Sequence, residues 1–173
     1  NNGRINMTGS ENIVIYSVNG EAVMNSGIID ASAGIGNIAV YNKGGTIDNR
    51  GTLYLGSSDI QSKTNTFLNT YAVGLYSENS SVRNTGDIYA GTGAVGIYSK
   101  SDANHSVVSV NKGNIYLSDG AVGLYAEGKN TQIINENGTL ITVAGNESIG
   151  MAAVGGALIT NKGTIDITGT NSY

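Results

Sequence analysis

The sequence predicts an all-β fold, a right-handed parallel β-helix of about seven coils with three short strands per coil. Two alternating motifs and a skewed composition predict it. One motif, Asn-x-Gly-x-Ile/Leu, recurs mostly every 24 to 27 residues, and the other, Ala/Ser-Val/Ile-Gly-Leu/Ile-Tyr-Ser/Ala, falls between its copies. A repeat of this length is a unit that cannot bury its apolar face alone, so neighbouring units must stack to make a core. The chain has 26 Gly and no Pro among 173 residues. Absence of Pro suits strands whose backbone is hydrogen-bonded on both sides.

The first motif occurs at Asn1-Asn2-Gly3-Arg4-Ile5, Asn25-Ser26-Gly27-Ile28-Ile29 and Asn49-Arg50-Gly51-Thr52-Leu53. It returns at Asn84-Thr85-Gly86-Asp87-Ile88, Asn111-Lys112-Gly113-Asn114-Ile115 and Asn161-Lys162-Gly163-Thr164-Ile165. Glu136-Asn137-Gly138-Thr139-Leu140 reads as a degenerate copy with Glu in place of the leading Asn. The second motif is clearest at Ala72-Val73-Gly74-Leu75-Tyr76-Ser77, Ala94-Val95-Gly96-Ile97-Tyr98-Ser99 and Ala121-Val122-Gly123-Leu124-Tyr125-Ala126. A weaker third column stands two residues before each leading residue, at Val23, Ile47, Val82, Ile134 and Ile159, and Ser109 breaks it. All three stretches alternate apolar positions with period two, the strand signal, and none shows a helical period. Asn and Gly at the joints tolerate the left-handed angles that sharp corners require.

The alternation assigns faces. Val73 and Leu75 are expected inside, with Val95/Ile97 and Val122/Leu124 as their equivalents. Gly74 and Tyr76 then face out. After each motif Gly the inward pairs are Ile29/Ala31, Leu53/Leu55, Ile88/Ala90, Ile115/Leu117, Leu140/Thr142 and Ile165/Ile167, with Ile5/Met7 at the start. Two outer columns follow. One holds Tyr16, Tyr41, Tyr76, Tyr98 and Tyr125 and is interrupted at Ala152. The other reads Asn6, Asp30, Tyr54, Tyr89, Tyr116, Ile141, Asp166. Aromatic rings about 5 Å apart support one another by offset stacking. The same strips are also candidate contact surfaces for sugars or a protein partner.

Charged residues make up 13% of the chain, about half the share in an average globular protein. Stacked coils explain this, because identical charges directly above one another repel. The formal net charge of −4 and the lack of a basic cluster argue against a nucleic-acid partner. No apolar run is long enough to span a membrane, so no membrane insertion by this segment is expected. Neither end of the chain carries a polar cap, and residues 1–173 read as a single β-helix segment cut from a longer rod. Further coils of the parent chain are expected to stack on it.

The repeat is interrupted twice. The motif Gly and motif Tyr are 12 to 14 residues apart in most coils but 25 apart between Gly51 and Tyr76. The excess, 56–71, reads as an inserted surface loop. It contains Phe67, the only Phe, beside Leu68. These two either fold back over the adjacent corner or form a contact point. A smaller excursion, 99–108, carries the only His, His105. A lone His without Cys lacks the partners of a metal site. The acidic residues are scattered, and Asp30 and Asp166, which share a column, stand five coils apart, so no catalytic carboxylate pair is expected. No phosphate loop or calcium repeat is present. No catalytic residue, cofactor or metal is expected, and the chain is not expected to be an enzyme. The candidate contact residues are Phe67, Leu68, Tyr54, Tyr76, Tyr89, Tyr98, Tyr116 and Tyr125.

The units "AVGLYS", "AVGIYS", "AVGLYAEG" and "NTGDIYAGT" resemble the passenger domains of type V autotransporter adhesins, in particular the large fusobacterial outer-membrane adhesins. The resemblance covers essentially the whole chain. It implies export to the bacterial cell surface, anchoring by an outer-membrane barrel elsewhere in the parent chain, and a role in virulence through adhesion. The implied partners are a host receptor or glycan, or the surface of another bacterium. Alternatives are a pure structural spacer, a toxin passenger of the vacuolating-cytotoxin type, and a β-helical polysaccharide-degrading enzyme.

Overall fold

The computed structural model describes residues 1–59 and 71–173; Phe67 and Leu68 lie outside the described residues. The first coil consists of β1 (Arg4–Asn6), β2 (Ile13–Ser17) and β3 (Ala22–Asn25). The second holds β4 (Ile28–Ile35), β5 (Ile38–Lys43) and β6 (Thr46–Asn49), and the third β7 (Thr52–Ser57), β8 (Val73–Glu78) and β9 (Ser81–Asn84). The fourth holds β10 (Ile88–Ala90), β11 (Val95–Lys100) and β12 (Val107–Asn111). The fifth holds β13 (Ile115–Leu117), β14 (Val122–Glu127) and β15 (Thr131–Asn135). The sixth holds β16 (Leu140–Val143), β17 (Ile149–Val154) and β18 (Leu158–Asn161), and β19 (Thr164–Ile167) opens a seventh. Among the described residues there is no helix.

Equivalent strands pair in parallel between consecutive coils. They form one seven-stranded sheet (β1, β4, β7, β10, β13, β16, β19) and two six-stranded sheets. We call these sheet 1, sheet 2 (β2, β5, β8, β11, β14, β17) and sheet 3 (β3, β6, β9, β12, β15, β18). The fold is therefore a parallel β-solenoid with three strands per coil. The excess residues between Gly51 and Tyr76 leave the stack in register: Asp48 still faces Arg83, and Leu53 faces Ile88. Gly56 and Ser57 complete β7, and Ser99, Lys100, Val107 and Val108 belong to β11 and β12.

The interior is a continuous aliphatic column. Ile29, Leu53, Ile88, Ile115 and Ile141 project from sheet 1, Val40, Leu75, Ile97 and Leu124 from sheet 2, and Ile47, Val82 and Ile133 from sheet 3. The first motif supplies a second, polar spine. Asn25 donates through Nδ2 to Asn49 Oδ1 at 2.7 Å, Asn49 to Asn84 at 2.7 Å, Asn84 to Asn111 at 2.8 Å and Asn111 to Asn135 at 2.8 Å. Asn1 and Asn161 extend the ladder at its ends. A side-chain amide carries both donor and acceptor, so one residue type stacked in register can satisfy its equivalents indefinitely.

Three expectations are corrected. Val73, Val95 and Val122 do not line the interior beside Leu75, Ile97 and Leu124. They pack with Tyr76, Tyr98 and Tyr125 in a separate cluster on the outer side of sheet 2. The alternation breaks at the motif Gly. Ala39, which occupies the Gly74 position, is buried in the interior cluster next to Val40, so two adjacent residues face inward. A Cβ built on Gly74 likewise points at Leu55 Cδ1, 3.4 Å away. This repeated bulge turns the preceding Val outward.

The second correction concerns coil six. Asn135, not Glu136, is the ladder residue, and Ile115 faces Ile141 rather than Leu140. Extra residues at the corner shift the frame, so Ile141 and Val143 point in and Thr142 takes the outer column. The third follows from the second: Ile133, not Ile134, occupies the inner column of sheet 3, where it pairs with Ser109 and Ile159. Ser109 is tolerated there because Ser77 Oγ donates to Ser99 Oγ at 2.9 Å and Ser99 Oγ meets Ser109 Oγ at 2.7 Å. The buried hydroxyls satisfy one another.

Candidate contact surface

The outer face of sheet 2 is apolar because of the bulge. Ile38, Val73 and Val95 form one row and Tyr41, Tyr76 and Tyr98 the next, all buried. Tyr16, by contrast, is 63% exposed. Ring centroids along the row are 4.7 to 5.2 Å apart. The rings change orientation along it, from 7° between Tyr16 and Tyr41 to 80° between Tyr41 and Tyr76. The expected outward Tyr ladder thus exists, but its middle members are packed rather than displayed.

Beside the tyrosines runs a row of charges that sequence reading missed. Lys43 faces Glu78, Glu78 faces Lys100, and Lys100 faces Glu127. The signs alternate, so each step along the row is attractive rather than repulsive. Lys43 Nζ lies 2.9 Å from Glu78 Oε1, and Tyr41 donates its hydroxyl to Glu78 Oε2 at 3.0 Å. Tyr98 donates to Glu127 in the same way. Burial opposes ionisation of Glu78, but the bonds from Lys43 and Tyr41 outweigh it and hold the carboxyl below its ordinary value. Burial, then the Glu78 bond, pushes Tyr41 up, and burial with the charges of Glu78 and Glu127 pushes Tyr76 up to about 12. Burial, then the Glu127 bond, raises Tyr98 also. At neutral pH these phenols are donors and the Glu78 carboxylate an acceptor, and neither is poised to exchange protons near pH 7.

The insertion leaves and rejoins the solenoid at this face. Ser58 Oγ accepts from Ala72 N at 2.9 Å and donates to Gly93 O at 2.7 Å, which fixes the stem. Tyr71 packs against the Val/Tyr cluster. Next to the stem lies a groove of about 620 Å³ that crosses several coils. Its floor and walls include Tyr71, Val95, Tyr98, Val122 and Tyr125, and Asp119, Glu127 and Glu147 also line it. Lys and Arg are absent from its described lining. It offers aromatic surface and negative charge in one elongated channel.

Tyr54, Tyr89 and Tyr116 lie on a different face, the outside of sheet 1. Tyr54 and Tyr89 stack at 4.9 Å and 14°, and Tyr89 and Tyr116 at 4.7 Å and 10°. Parallel rings cover one another, so Tyr89 presents its edge and hydroxyl to solvent, not a face on which a sugar could lie. The candidate tyrosines are therefore not one strip. Tyr76, Tyr98 and Tyr125 share the groove side, and the other three stand apart.

The 101–106 turn closes on itself. Asp102 Oδ1 lies 2.6 Å from His105 Nδ1, and Asn79 Nδ2 donates to Asp102 Oδ2 at 2.8 Å. The His105 bond, then the amide of Asn104, lowers the Asp102 carboxyl to about 2. Elsewhere Asp30 pairs with Arg4, Asp48 with Arg50 and Glu136 with Lys162. Among the described residues no three His, Cys, Asp or Glu side chains converge as a metal site.

A protein-family model, the BigA third pectate lyase-like domain, matches residues 1–173, the whole chain. Neither a curated protein nor a solved structure matches it.

Proposed function

Because the chain belongs to the BigA third pectate lyase-like domain family, we propose that it is a non-catalytic stretch of a bacterial surface rod that carries a contact face for adhesion. The pectate lyase-like name describes a β-helical architecture, and architecture alone does not bring activity with it. In this reading the stacked coils carry a face away from the cell, and that face meets a host receptor or glycan or another bacterium. The narrower likeness to fusobacterial autotransporter passengers belongs to this proposal, as do outer-membrane anchoring and a role in virulence.

One observation carries the reading. The aromatic groove on sheet 2 lies beside the stem of the insertion, where the regular stack is interrupted. Recognition concentrates on excursions held by a rigid scaffold, and contact sites favour Tyr at their centres. The test is binding of purified, labelled 1–173 to cultured epithelial cells and to co-aggregating bacteria. We expect Tyr125→Ala to weaken binding about tenfold, the usual scale for a central aromatic contact. Tyr116→Ala, on the opposite column, should leave it unchanged. Equal binding by wild type and Tyr125→Ala would remove the groove from the reading. Failure of wild type to bind either cell type would leave the domain as a spacer.

A further inference from the structure

We propose that Tyr89 and Tyr116 form a prealigned site for oxidative coupling, at which a peroxide joins the two rings as a dityrosine and staples consecutive coils together. The inference rests on sheet 1 and is independent of the adhesion reading.

Tyr54, Tyr89 and Tyr116 face one another directly in the register of β7, β10 and β13. Of the stacked pairs among the described residues, Tyr89 and Tyr116 are the closest, at 4.7 Å between centroids and 10° between planes. Tyr89 is 37% exposed, so an oxidant can reach it. Among the described residues, none hydrogen-bonds the phenol oxygens of this column. In the Tyr row of sheet 2, Tyr16 stacks on Tyr41 at a wider 5.2 Å, and its partner Tyr41 is buried and bonded to Glu78. Tyr41, Tyr76 and Tyr98 are buried, Tyr41 and Tyr98 are bound to glutamates, and the ring pairs among Tyr41, Tyr76, Tyr98 and Tyr125 are tilted or perpendicular.

The chemistry needs little motion. In a biphenol the ring centroids sit slightly closer than these do, so rotation of each ring about its Cβ–Cγ bond brings two ortho carbons into bonding reach. Each phenol loses one electron and one proton to give a phenoxyl radical. The radicals couple through a new carbon–carbon bond between their ortho carbons, and the two ring hydrogens there move to the oxygens to restore the phenols. The oxidant is hydrogen peroxide acting through a haem peroxidase: it takes up the two electrons and two protons and leaves as two waters. The covalent link ties β10 to β13 and restricts the unfolded chain.

The experiment treats 1–173 with hydrogen peroxide and horseradish peroxidase and reads dityrosine fluorescence, peptide mass and urea unfolding. Wild type should gain fluorescence in the monomer fraction, independent of protein concentration, with a peptide joining Tyr89 to Tyr116. The cross-linked monomer should unfold at a higher urea midpoint. Tyr89→Phe keeps the stacking ring but cannot form a phenoxyl radical, and it leaves Tyr54 and Tyr116 about 10 Å apart, two strand spacings. Its monomer fluorescence should fall at least tenfold, whereas Tyr98→Phe should match wild type. Undiminished fluorescence in Tyr89→Phe, coupling confined to dimers, a link to any other tyrosine, or an unchanged midpoint would each overturn the proposal.

Discussion

Gly86→Ala is expected to destabilise the domain by roughly 3–5 kcal/mol, within the range reserved for severe steric faults. A Cβ on Gly86 would sit 1.9 Å from Gly51 O and 2.7 Å from Gly51 C. The obstruction is backbone of the preceding coil, which is locked in parallel pairing on both sides and cannot step aside. In the same column Gly27, Gly51 and Gly113 meet the same obstacle. Gly138 is the internal control. It has φ of +81°, yet a Cβ there has no neighbour within 4 Å. Gly138→Ala should therefore cost only about 1–2 kcal/mol, the price of a left-handed L-residue. Urea unfolding followed by circular dichroism measures both. Similar losses at the two positions would show that coil contact is not what demands Gly86.

Asn84→Leu should cost a comparable amount, roughly 3–5 kcal/mol. Asn84 is fully buried and accepts from Asn49 Nδ2, donates to Asn111 Oδ1 at 2.8 Å and donates to Gly86 O at 2.9 Å. Leucine matches its size but leaves polar groups of three neighbours without this partner in a site water cannot enter, at about 1–3 kcal/mol for each group left unsatisfied. Asn161 holds the same place at the exposed end of the ladder. There water reaches the groups on the solvent side and only buried Asn135 Nδ2 loses this partner, so Asn161→Leu should cost about 1–2 kcal/mol. Equal effects of the two substitutions in the same unfolding assay would contradict a buried, chain-long ladder.

Much of this architecture was legible because stacking writes the same residue at the same interval. The interior row through Leu53, Ile88 and Ile115 and the outer row through Tyr54, Tyr89 and Tyr116 follow directly from the spacing of the glycines. What escaped was what period-two reasoning cannot express. The inward pair at Ala39 and Val40 needs a bulge, and its only sequence sign is a Gly or Ala at this place ahead of a larger apolar residue in every coil but the first, where Val14 stands. In coil six the Asn137-Gly138 pair imitates the motif, whereas the true ladder residue is Asn135. The Lys43, Glu78, Lys100, Glu127 row was visible only once the register between coils was known, since each member comes from a different repeat. The groove escaped for the same reason: Tyr71 and Tyr125 are far apart in sequence and meet only through the return of the insertion.

Each of these statements depends on residues one repeat apart lying one strand spacing apart along a straight stack. Ser26 and Lys162 occupy the variable place of the Asn-x-Gly motif, are exposed, and are separated by the ladder steps from Asn25 through Asn49, Asn84, Asn111 and Asn135 to Asn161. The chain has no Cys, so single cysteines introduced there can carry spin labels without interference. Pulsed electron–electron resonance should give about 24 Å for the 26–162 pair, and the distance should shorten by about 5 Å when the first label moves to position 50. A distance that stays the same or lengthens on that move would contradict the stacked rod.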